Sequence, residues 1–266
     1  MVRFIRPRRF FWLTGILAAF ILAAMVTVML MSPAGGAPPS SDRSRAAVER
    51  VRPSLERDLA ARGLAWGAPA LIRIFKQEGA LEVWLAGPGG GPYQRFRTYA
   101  ICAWSGDLGP KLREGDGQAP EGFYAVTAGR LNPHSRFHLS FNLGYPNAYD
   151  RAHGRTGSAL MVHGDCMSVG CYAMARQWVS MGADRNRPIE EIYALVEAAL
   201  AHGAASVPVH ALPFRFSAAN LRRHGASPWR GFWANLREGD AAFRATLRPP
   251  KVWVSGRRYR FAAVDD

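Results

Sequence analysis

The segment running from Ser158 to Tyr172 constrains this chain more than any other. Ser158-Ala159-Leu160-Met161-Val162 is apolar and reads as a buried strand. It runs straight into His163-Gly164-Asp165-Cys166-Met167-Ser168-Val169-Gly170-Cys171-Tyr172. Two of the three cysteines in 266 residues fall in that stretch, the third being Cys102. Side chains set at the end of a rigid element can be held in a reactive geometry. A histidine and thiols so placed point to a cysteine nucleophile with a histidine base.

Cys171 is the better nucleophile candidate of the pair. Gly170 permits a tight turn before it. Tyr172-Ala173-Met174-Ala175-Arg176-Gln177-Trp178 has helical propensity, and a helix start would lower the thiol pKa. Strand, turn, nucleophile and helix would make an elbow of the kind serine hydrolases use. The N–H groups of Gly170 and Cys171 would then face a developing oxyanion, with Ser168 in the same turn. Cys166 reads as a small buried residue. His163-x2-Cys166-x4-Cys171 also has the residue types of a zinc site, but no partner pair stands at the usual spacing, so no metal or cofactor is expected. His138 and His153 read first as hydrogen-bonded structural residues. Either Asp165 or a backbone carbonyl could orient His163.

The formal net charge of +14 favours anionic partners or marks a solvated basic surface. No finger spacing, RNA-binding aromatic motif or long internal basic run is present, so nucleic acid is not expected as a partner. Arg3, Arg6, Arg8 and Arg9 precede an uncharged apolar run from Phe10 to Met31. About 20 apolar residues suffice to span a bilayer, whereas a cleavable signal core is shorter, about 7–15 residues. The expectation is an uncleaved N-terminal transmembrane anchor with the bulk of the chain exported. The alternative is a signal peptide cleaved after Ala37. In an exported protein an odd cysteine count leaves a free thiol or an intermolecular bond. Cys102 could pair with Cys166, or all three could be reduced.

Hydrophobic content of 48% fits a sizeable core. Residues 1–41 divide into basic flank, apolar run and a Pro/Gly/Ser linker. Residues 42–67 read as a helical lead-in, over Ala46 to Arg62, broken or kinked at Pro53. Leu71–Lys76 and Leu81–Leu85 alternate as a hairpin, Phe96–Trp104 forms a third strand, and 105–122 is a long loop. Short strands follow at Phe123–Val126 and His138–Leu143. A helix opens at Pro188 and closes at Gly203, and Val207–His210 is a strand. Ser217 and Ser227 read as caps of helices in a C-terminal extension, 216–266, that ends in a hairpin. Trp229, Phe232 and Trp233 suggest packing rather than a glycan surface. The fold class is mainly β with added helices, α+β.

The chain also resembles the YkuD-type L,D-transpeptidases, in their YafK-like branch. The resemblance rests on Ser168-Val169-Gly170-Cys171-Tyr172-Ala173-Met174, on Ile101-Cys102-Ala103-Trp104-Ser105-Gly106, on Gly115 to Tyr124, and on His138 to Leu143 with Pro146 to Asp150. It covers roughly residues 68–215. It implies a β-sandwich-like catalytic domain that acts on peptidoglycan stem peptides at the periplasmic side of a bacterial envelope, with Cys171 as nucleophile forming a thioester and His163 as proton donor and acceptor. It implies two outcomes: cross-link formation when an amine resolves the thioester, or hydrolysis that detaches a lipoprotein from peptidoglycan. The chain departs from the family pattern in the eight-residue spacing from His163 to Cys171. It departs again at Val169, where relatives carry histidine, and at Ala173, where they carry arginine. Arg155 or Arg176 is expected to replace that arginine as a substrate contact, with His138 and Tyr172 as further candidates. A catalytically inactive wall-binding module and a zinc hydrolase are the rival readings.

Overall fold

The computed structural model describes residues 37–176 and 184–263. The expected N-terminal anchor lies outside the described residues. Among the described residues no helix is long and apolar enough to cross a membrane. Residues from Ala37 onward form one compact unit.

The first helix, α1 (Asp42–Ala60), starts earlier than expected because Ser41 and Ser44 cap each other's backbone N–H groups. It runs through Pro53 unbroken. Ala47, Val51, Leu55 and Leu59 recur every fourth residue and bury one stripe in the core. After it come β1 (Ala70–Phe75), β2 (Ala80–Gly87), β3 (Gly91–Ala100), β4 (Gly122–Val126), β5 (Leu131–Asn132) and β6 (Ser140–Asn142). Then follow α2 (Ala148–Ala152), β7 (Met161–His163), β8 (Tyr172–Ala173), α3 (Arg187–Ala201), β9 (Val207–Leu212), α4 (Ala218–Arg223), α5 (Arg230–Thr246), β10 (Lys251–Ser255) and β11 (Arg258–Ala262). The architecture is mixed α+β, with a five-stranded sheet, β3-β2-β1-β9-β4, and a four-stranded sheet, β5-β6-β7-β8. Strands β1 and β9 run parallel, as do β7 and β8.

The β1–β2 hairpin pairs Leu71 with Trp84 and Ile74 with Leu81. Its alternation is real, yet neither face is solvated. Ile72, Ile74, Leu81 and Val83 enter a core shared by both sheets, α1 and α3. The polar residues between them are buried as well, because the C-terminal extension covers the other face. Arg73 pairs with Asp240 of α5, and Glu82 accepts from Arg215, Arg95 and the Trp84 indole. Phe232 and Trp233 join Phe75, Phe123, Leu212 and Tyr259 in a second apolar cluster on that face. This is the packing role expected of the aromatic group.

Strand β3 ends at Ala100, short of the expected Trp104, so Cys102 lies just beyond it. The loop that follows is anchored from within. The ammonium of Lys76, fully buried, donates to the carbonyls of Asp107 (2.8 Å), Ala119 (3.0 Å) and Gly109 (3.1 Å) and pairs with the fully buried Glu121 at 3.1 Å. Glu121 also accepts from the Gly109 N–H (2.7 Å) and the Trp233 indole (2.8 Å). Removing one member of a buried pair strands the other charge, a cost of about 3–5 kcal/mol. Denaturant unfolding of Lys76→Met and Glu121→Gln should each show a loss of that order. The double variant should lose less than the sum, and strict additivity would mean that the pair does not hold the loop.

Candidate active site

Strands β7 and β8 carry the site. Their parallel register sets Val162 beside Tyr172 and His163 beside Ala173. Cys171 stands immediately before β8, alongside the Met161 end of β7. The thiol accepts from the Met161 N–H at 3.4 Å and faces the Ala159 carbonyl at 3.8 Å. The eight-residue step between histidine and cysteine is therefore spanned by a loop joining adjacent parallel strands. This corrects the elbow expectation: Tyr172 and Ala173 form a strand and not the start of a helix. Ladder bonds on both sides explain it. Met174 N–H donates to the His163 carbonyl (2.7 Å), and Ala173 N–H to the Ala103 carbonyl (2.9 Å). Tertiary pairing overrides the local helical propensity.

The connecting loop is fastened at several points. A disulfide joins Cys166 to Cys102, whose Cα atoms lie 5.4 Å apart, and leaves Cys171 as the free cysteine. This resolves the open question of pairing. With Cys166 in a disulfide, the His163/Cys166/Cys171 ligand set is unavailable to zinc. Ser168 donates to the Cys171 carbonyl at 2.7 Å and accepts from the Gly170 N–H at 3.3 Å. Gly170 adopts a φ of +117°, which L side chains rarely tolerate. Its N–H donates to the Ser168 hydroxyl, and the two residues shape the turn before the thiol. The Cys171 N–H makes no hydrogen bond within the described residues and remains the backbone donor at the thiol. The loop tip exposes Met167 and Val169, the latter 85% exposed.

His163 is buried, its ring 4.7 Å from that of Phe137. Its Nδ1–H donates to the Gly164 carbonyl at 2.5 Å, so a backbone carbonyl orients it while Asp165 lies near Arg185 instead. That bond fixes the tautomer and leaves Nε2 with its lone pair. Burial lowers the imidazole pKa, opposed by the Gly164 carbonyl and the charge of Asp165. Burial raises the Cys171 thiol pKa, opposed by the Met161 N–H and the charge of Lys111. Both shifts favour the uncharged forms, a thiol and a neutral imidazole.

Three expected substrate contacts are internal instead. Tyr172 is fully buried, its hydroxyl donating to the Pro120 carbonyl at 2.6 Å. Arg155 is buried, pairs with Asp150 at 2.8 Å and lies over the rings of Tyr149 and Phe232. His138 contacts Glu190 at 2.7 Å, a carboxylate that also takes two bonds from Arg50 and so ties α1 to α3. Arg176 is exposed, and its N–H donates to the Arg185 carbonyl. Two residues at the site went unnoticed in the sequence: Phe137, which packs on the histidine, and Lys111, buried and paired with Asp116 at 2.5 Å. Neither belongs to a motif that would single it out.

Two outcomes check this geometry. Alkylation of the denatured, unreduced protein should modify Cys171 alone. In the native protein the alkylation rate should keep rising above the ordinary thiol pKa of about 8.5, because a raised pKa leaves less thiolate at any given pH. A plateau already reached near pH 6–7 would indicate a preformed thiolate–imidazolium pair.

No family model matches the chain. Among solved structures, the helical cell shape determining protein Pgp2 of Campylobacter jejuni shares 17% identity over 76% of this chain and 80% of its own, with a TM-score of 0.41. Bd1075 of Bdellovibrio bacteriovorus shares 20% identity over 66% of this chain and 60% of its own, with a TM-score of 0.37. A much nearer match is the protein named "Putative L,D-transpeptidase YafK" of Escherichia coli K12. It is 46% identical over 193 residues, which cover 73% of this chain and 74% of the relative. The same match is found with the protein of that name in Escherichia coli O157:H7. With that identity over nearly three quarters of both chains, the protein belongs to the L,D-transpeptidase family, alongside YafK.

Proposed function

We propose that the protein is a cysteine acyltransferase acting on peptidoglycan stem peptides, with Cys171 as nucleophile and His163 as general base and acid. The observation that carries the reading is the placement of the one free cysteine among the described residues immediately before β8, while the parallel neighbour β7 ends in a histidine oriented by a backbone carbonyl. Family membership adds the reaction class. Nε2 of His163 takes the thiol proton as Sγ attacks the peptide carbonyl, and the Cys171 N–H faces the oxygen that gains charge. The imidazolium returns the proton to the departing amine as the tetrahedral adduct collapses to a thioester. A second amine then forms a new peptide bond, or water releases the acid. No hydrogen bond joins thiol and imidazole in the resting site. Such contacts often tighten only when substrate excludes water.

The reading places the catalytic unit in the cell envelope, on the periplasmic side, held by the N-terminal apolar run. Peptidoglycan is its partner, and no metal or cofactor enters the steps. Incubating the full chain with crosslinked peptidoglycan bearing a bound lipoprotein, followed by muropeptide analysis, tests it. New cross-links identify an amine acceptor, and released lipoprotein identifies water. Cys171→Ala should abolish either product, and His163→Ala should slow it about 10²–10⁴-fold, the usual worth of a general base. An unchanged muropeptide profile with wild-type protein, or activity retained by Cys171→Ala, would overturn the assignment.

A further inference from the structure

A cleft of about 500 Å³ lies along the end of β7 that neighbours Cys171. Ala159 and Met161 line it, the two residues whose backbone groups contact Cys171 Sγ. It runs past Asn142 and Gly144 to Arg130 and Arg151. The same two arginines also line the adjoining cavity of about 410 Å³ between β4, α2 and the β10–β11 hairpin. Neither lining contains an aspartate or a glutamate.

Arg130 and Arg151 differ from the buried cations of this fold. Lys76, Arg73, Lys111 and Arg155 each pair with a carboxylate. Among the described residues Arg130 and Arg151 have no carboxylate partner. Arg130 donates through Nη1 to the carbonyls of Ala125 and Leu143, and Arg151 through Nη1 to that of Pro146. Those bonds fix each guanidinium by one nitrogen. A guanidinium carries five N–H donors in a planar fork, so each keeps donors for a ligand. The Arg130 head also packs closely against Gly144: a Cβ there would come within 1.7 Å of Nη1. Two oriented and unneutralised forks, in a cleft that shares Ala159 and Met161 with the surroundings of the thiol, suit a carboxylate better than any other peptide group.

We infer that Arg130 and Arg151 read a free carboxylate on the acyl half of the donor, and so select the peptides that reach Cys171. This rests on the acyl-transfer reading above. It moves carboxylate recognition from the β8 side of the thiol, where Ala173 is buried, to the β5–β6 side.

The test compares two synthetic stem peptides, one with the free side-chain carboxylate on its acyl half and one with that group as a carboxamide. The full chain is followed by intact mass for acylation of Cys171, and iodoacetamide labelling reports that the thiol is intact. Wild-type protein should acylate from the acid at least about tenfold faster than from the amide, as a charge-assisted pair would give. Arg151→Gln and Arg130→Gln should each bring that ratio toward one. Arg52→Gln, at an exposed cation on α1 paired with Glu56, should keep it. If Arg130→Gln fails to fold, because that side chain also supports Ala125 and Leu143, the exposed Arg151 carries the test. A wild-type ratio near one, or a preference that survives in Arg151→Gln, overturns the inference alone. No acylation from either peptide by a thiol that iodoacetamide still labels overturns the acyl-transfer reading, and this inference with it.

Discussion

The buried pair of Lys76 and Glu121 is the contact on which the site's surroundings depend. Each ion taken from water costs several kcal/mol, and the mutual attraction offsets that only when the remaining donors and acceptors are satisfied. Here they are. The Lys76 ammonium is spread over three loop carbonyls as well as Glu121, and the carboxylate also holds the Gly109 N–H and the Trp233 indole. Burial pulls the lysine pKa down, and the glutamate beside it opposes that pull. One charge pair thus joins the end of β1, the 105–121 segment and α5. A stretch that reads in the sequence only as a long loop is fixed in this way.

That segment packs against the turn that carries Cys171. Pro120 accepts the Tyr172 hydroxyl, Ser105 lies 3.4 Å from Ser168, and the Cys102–Cys166 disulfide ties its start to the loop between histidine and cysteine. Ser168 bridges the turn internally and so holds the Cys171 backbone. The electrostatics then follow from burial rather than from a nearby charge. The thiol pKa is pushed up and the imidazole pKa down, so the proposed acylation requires proton transfer as substrate arrives.

Much of the local structure was legible. The β1–β2 and β10–β11 hairpins, the helix after Pro188 and the Ser217 cap all follow from periodicity and turn residues, which act over a few positions. What was hidden depends on partners far along the chain. Arg73 looks like the polar side of a half-exposed strand until Asp240, 167 residues on, covers it. Tyr172 to Trp178 has helical propensity, and only the ladders to β7 and Ala103 make Tyr172–Ala173 a strand. The cysteine pairing was undetermined because Cys102 and Cys166 are 64 residues apart. At the site, His163 and Cys171 stood out by residue type and spacing. Arg155, Tyr172 and His138 entered as substrate contacts through the family resemblance, yet their side chains are engaged within the fold. Arg130 and Arg151 carry no motif and become visible only as the lining of a cleft.

The central claim is that Cys171 becomes acylated with His163 as its base. Intact-mass analysis of the full chain, mixed with a stem-peptide donor and quenched in acid, tests it most directly when followed by peptide mapping. The account predicts a mass gain equal to the acyl half of the donor, located on Cys171, labile to hydroxylamine and formed far more slowly in His163→Ala. An adduct on any other residue, or turnover of the donor with Cys171 unmodified and replaceable by alanine, would contradict it.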